Sequence, residues 1–79
     1  MSKEQQQLLY EVVKWRINAF YNDMKDHWNA SDSAIADKCS ANIFKLENQY
    51  KELYGDLPDW QSIDDIFNAR DELKKIVEG

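Results

Sequence analysis

From residue 8 to residue 24, apolar side chains recur at helical steps in two adjacent rows. Leu9, Val13, Ile17, Phe20 and Met24 form one, and Leu8, Val12, Trp15 and Ala19 the other. A helix with two such rows has neighbours on two flanks. The second row stops at Ala19, where Asp23 and Asp26 take over its line. Between residues 35 and 53 a single stripe runs through Ile35, Cys39, Ile43, Leu46, Tyr50 and Leu53, so the second helix has one buried side. A shorter third pattern puts Ile66, Leu73 and Val77 together.

The residues between these patterns act as starts and stops. Ser2 with Gln5 three positions on reads as a capping box, opening a helix over about residues 3–28. In "NASDSA", Ser31 or Asp32 supplies the next N-cap, for a helix over about 32–54 that Gly55 ends and Pro58 prevents from continuing. The third helix starts at Pro58–Trp60 or at Ser62 and is placed over about 59–77, with Asp64 and Asp65 near its N-terminus and Lys74 and Lys75 near its C-terminus, both favourable to the helix dipole. The predicted fold is all-α: an up-down-up three-helix bundle with a long helix 1–helix 2 hairpin and a shorter third helix covering the N-terminal half of helix 1. At 1.5 Å per residue the first helix is about 39 Å long and the third about 24 Å, leaving a two-helix arm of about 15 Å.

Composition narrows the function classes. A chain of 79 residues, 43% hydrophobic and 32% charged, is one small domain near the lower size limit for a stable core. It has no apolar run of about 20 residues to span a bilayer and no apolar leader, and Cys39 is its only cysteine, so a soluble protein of a reducing cytoplasm is expected. The formal net charge is −5, and after Gly55 only Arg70, Lys74 and Lys75 face seven acids. No Lys/Arg stripe with interleaved aromatics offers a phosphate backbone a footprint, which argues against direct nucleic-acid binding.

Catalytic and metal chemistry have little to work with. Asp23 and His27 are four apart on one helix face, but no second histidine exists to complete a zinc site, and Cys39 belongs to the core stripe. No catalytic residue, cofactor or metal is expected.

The stretch "YGDLPDWQSIDD", residues 54–65, carries the chain's only proline and one of its three tryptophans. Trp60 and Phe67, seven apart, are placed on a flank of helix 3 away from Ile66, Leu73 and Val77, with Asp56, Asp59 and Asp64 around them. A tryptophan rimmed by charge suits a protein interface, and also suits a lid over the end of a small bundle. Phe44 lies roughly 100° or more from the centre of its helix's stripe and is a further candidate anchor. Tyr21 and Trp28, on the projecting arm, are candidate contacts of a homodimer. The resulting expectation is a small acidic non-enzymatic adaptor or inhibitor, of the kind phages encode, whose protein partner has a basic face as nucleic-acid-handling proteins do. The alternative is a self-assembling helical homodimer with a structural role.

Overall fold

A computed structural model describes the backbone of residues 2–23 and 30–79 and the side chains of residues 2–22 and 37–79. Three helices form: α1 over Lys3–Asp23, α2 over Ala30–Tyr54 and α3 over Ile63–Glu78. The expected all-α architecture, with a shorter third helix, is the one observed. The expected continuation of helix 1 to residue 28 and the pair Asp23–His27 lie outside the described side chains.

Local chemistry sets the helix ends. The Ser2 hydroxyl accepts from the Gln5 backbone N–H at 3.1 Å, which caps α1. The reciprocal half of the expected capping box is not made, because the Gln5 amide donates to the Tyr50 hydroxyl of α2 at 3.0 Å. α2 begins at Ala30, so Ser31 and Asp32 fall inside its first turn and not at the expected N-cap position. At its other end the Gly55 N–H donates to the Lys51 carbonyl at 3.1 Å, with Gly55 at φ 94°. A Cβ added there would meet nothing within 4 Å, so Gly55→Ala carries backbone strain alone. It should lower stability by about 1–2 kcal/mol, read from a denaturant melt, with the helical signal of the native state unchanged.

Of the two starts open to the third helix, the observed one is Ser62, whose hydroxyl accepts from the Asp65 N–H at 3.3 Å. Asp65 reaches back to accept from the Gln61 N–H at 3.0 Å. Residues 59–62, expected to be helical, belong to an extended connector, because Leu57 and Trp60 turn inward to pack on the core.

The order of contacts fixes the path of the chain. Gln5 bonds Tyr50 and Arg16 bonds Glu47, so α2 returns antiparallel to α1. On α3, Phe67 packs on Phe20 and Tyr21, whereas Glu78 accepts from the Tyr10 hydroxyl at 3.2 Å. α3 is therefore antiparallel to α1 as well, and the upward leg of the path is made by residues 55–62. The helical rise of α1 from residue 5 to residue 20 is about 22 Å, within reach of eight extended residues. α3 thus lies along α1 as far as Phe20 and Tyr21, not over its N-terminal half alone.

α1 is the shared partner, and this accounts for its two apolar rows. It packs against both other helices, while among the described residues α2 and α3 do not approach each other. Each touching pair therefore has opposed helix dipoles. The core joins Leu9, Tyr10, Val13 and Ile17 of α1 to Tyr50 of α2 and Leu73 of α3, with Val12 and Cys39 also buried. Burial, and then the Glu78 carboxylate that accepts its hydroxyl, hold the Tyr10 phenol above its ordinary pKa. Leu53, expected in the stripe of α2, is 60% exposed. It lies a turn beyond Tyr50, which already bonds Gln5 close to the start of α1.

A candidate docking groove beside the connector

Trp60 is held from two directions. Its ring packs half-buried against the core, and the Arg16 guanidinium lies 5.0 Å from the ring centroid. Arg16 in turn donates to the Glu47 carboxylate through Nε, at 2.9 Å, and through Nη2. One side chain of α1 thereby ties α2 to the connector. The pair is largely shielded, with Arg16 and Glu47 30% and 21% exposed.

Beside this clasp a groove of about 330 Å³ opens between α1, the connector and α3. Gln6 and Leu9 form one wall, Pro58 and Trp60 another, and Leu73 and Ile76 the third. Leu73 is buried, but Ile76 is 49% exposed, so the groove has an apolar lip. Glu72 also lines it, and Asp56 and Asp59 are exposed on the connector that forms its wall. None of these three acids is in an ion pair among the described residues. The arrangement offers an apolar seat for one side chain with unpaired negative charge close by.

The sequence candidates fall into different places. Trp60 packs on the core, as a lid does, and also lines the groove. Phe67 does not share its flank. It sits against Phe20 in an edge-to-face pair at 6.2 Å and against Tyr21 at 6.0 Å, with Arg70 stacked 5.1 Å above it. The correction follows from the direction of α3, which brings its first turns to the C-terminal half of α1. Phe44 is 70% exposed on α2 and makes no ring contact among the described residues. Asp64 is exposed in the first turn of α3. Tyr21 is 53% exposed despite its contacts with Phe20 and Phe67, and Trp28 lies outside the described residues.

Sequence reasoning missed Arg16, Pro58 and Ile76 as parts of this site. Ile76 left a faint signal as an apolar residue beside Val77 that the third pattern did not use. Among the described residues no group of three His, Cys, Asp or Glu side chains could hold a metal ion, and no helix is long and apolar enough to cross a membrane. No protein-family model, curated protein or solved structure matches the chain.

Proposed function

We propose that the protein is a small cytoplasmic, non-enzymatic binding module, an adaptor or inhibitor, that takes an apolar anchor of a basic-faced protein partner into the connector groove. The observation that carries this reading is the groove itself: a half-buried tryptophan and a half-exposed isoleucine beside three acids that have no basic partner among the described residues. Burying one large aliphatic or aromatic side chain there contributes about 1.5–3 kcal/mol, and unpaired acids steer a cationic surface toward it. Proteins that handle nucleic acids carry such basic faces, and the negative charge of this chain suits them better than it suits the nucleic acid.

The test is selection of short displayed peptides against the intact protein. Enriched sequences should combine a large apolar anchor with Lys or Arg within a few positions. Their binding should weaken tenfold or more in Ile76→Asp, a change at a half-exposed site that the fold should tolerate. Converting Asp56 and Asp59 to Asn and Glu72 to Gln should slow association and flatten its salt dependence, with little change in melting temperature. Selected peptides that lack basic residues, or that ignore Ile76→Asp, would overturn the reading.

A further inference from the structure

The outward face of α2 carries a large exposed aromatic side chain. Of the other two helices only α1 packs on α2 among the described residues, and the side it covers includes the buried Cys39 and Tyr50. Phe44 lies about 140° round the helix from Cys39 and about 120° from Tyr50. Asp37 and Lys51 stand seven positions before and after it, on the same line of the helix to within about 20°. Both are exposed, as are the short Ser40 and Ala41 one turn before the ring. Lys38, Lys45 and Glu52, again seven apart, form a second exposed line about 100° round the helix. None of these five charged residues is in an ion pair among the described residues, and Glu47, on the opposite edge of the face, is held by Arg16.

We propose that this face docks on the same face of a second copy of the chain, the two α2 helices running antiparallel about a twofold axis beside Phe44, independently of the connector groove. In that pairing each residue meets the one that stands as far beyond Phe44 as it stands before it. Phe44 meets its own counterpart, Asp37 meets Lys51 of the second copy, and Lys51 meets Asp37 of the second copy. On the edge line Lys38 comes within two positions of Glu52 of the second copy, an offset of about 3 Å that two long side chains span. Two kinds of acid–base pair are thus each made twice. Lys45, close to the axis, is the one cation of the face with no acid opposite it.

The order of the charges selects this occupant and this direction. A twofold contact needs a surface complementary to itself, which acid, ring and base in line provide. Parallel pairing would instead set Asp37 on Asp37 and Lys51 on Lys51, like charge on like. The seven-residue spacing is that of a two-helix seam, in which a crossing of about 20° takes up the drift of the line round the helix. Ser40 and Ala41 leave room for the ring of the second copy. Burial of the two Phe44 rings supplies most of the attraction, since exposed ion pairs contribute little and serve to fix register. A seam one helix wide lies at the small end of protein interfaces, so the association is weak.

Sedimentation equilibrium of the full chain, from about 10 μM to about 2 mM, tests it. Expected is a monomer–dimer equilibrium with Kd on the order of 0.1 mM. Phe44→Asp should weaken the dimer tenfold or more, with circular dichroism showing the helices intact, because 70% of this side chain is already in water. Asp37→Lys and Lys51→Asp should each weaken it about fivefold by placing like charges opposite one another. The double variant restores opposite charges at both places, and its Kd should return to within about twofold of the starting value. Ile76→Asp, at the lip of the connector groove, should leave the dimer unchanged, which separates this contact from partner binding there. A monomer up to 2 mM overturns the proposal, as does a dimer indifferent to Phe44→Asp, such as one built on Tyr21. A dimer lost in Ile76→Asp, or a double variant no tighter than the two single ones, overturns it equally.

Discussion

Leu73→Ala should cost about 2–5 kcal/mol and leave the protein at the edge of folding at 25 °C. Leu73 is the one side chain of α3 that is buried, at 7% exposure, and through it α3 joins the cluster of Leu9, Val13, Ile17 and Tyr50. Around it the α3 contacts are half-buried, at Ile66, Phe67, Ala69 and Val77, and collapse onto a missing isobutyl group would have to draw on these. Among the described residues α2 and α3 have no Cα pair within 8 Å, so α2 is poorly placed to close over the gap from the other side. The measurement is urea unfolding followed by circular dichroism, with Ile76→Ala as the control. Ile76 is half-exposed and should cost about 1 kcal/mol or less. A loss below 1 kcal/mol for Leu73→Ala would mean that α3 is not held through this residue.

The second large effect is at Trp60. Full truncation of a buried tryptophan costs about 3–5 kcal/mol, but half of this ring's environment is solvent or groove, so Trp60→Ala should cost about 2 kcal/mol. Part of that loss comes from Arg16, which keeps Glu47 but no longer has the ring beneath it. Folding should remain cooperative. Binding of a selected peptide should fall by a further tenfold or more after allowance for the unfolded fraction, because a wall of the groove is gone. Were Trp60 a lid alone, stability would fall while the folded fraction bound the peptide as tightly as before. Trp60→Phe separates the contributions, since it restores part of the packing while removing the larger ring from the groove.

Features set by neighbours in the chain could be read directly from it. The Ser2 cap and the left-handed Gly55 each need only a few consecutive residues and are in place, and of the two starts open to the third helix Ser62 is the one used, whereas the second helix begins before its expected cap at Ser31 or Asp32. The two apolar rows of α1 also announced correctly that it has partners on two flanks. What could not be read was the direction of α3. Periodicity shows which face of a helix is buried and is silent on which end comes first. That choice depends on Leu57 and Trp60 packing on the core, which draws the connector up along α1 before the third helix begins. The misplacement of Phe67 followed, since a helix laid the other way would present it to a different part of α1. The Gln5–Tyr50 bond was hidden for a related reason: a glutamine with a local capping role open to it found a better acceptor 45 residues away.

The rising connector also bears on the order in which the molecule assembles. α1 and α2 can pair as a local hairpin, whereas the α1–α3 contacts join residues as far apart as Tyr10 and Glu78, separated by 68 positions. Closing that loop is entropically cheaper once the hairpin exists, so α3 is expected to dock late and to be the first element released when the structure loosens. The groove has α3 as a wall. A partner bound in the groove would therefore clamp the least secure step of folding, slowing hydrogen exchange in α3 more than in the hairpin that precedes it.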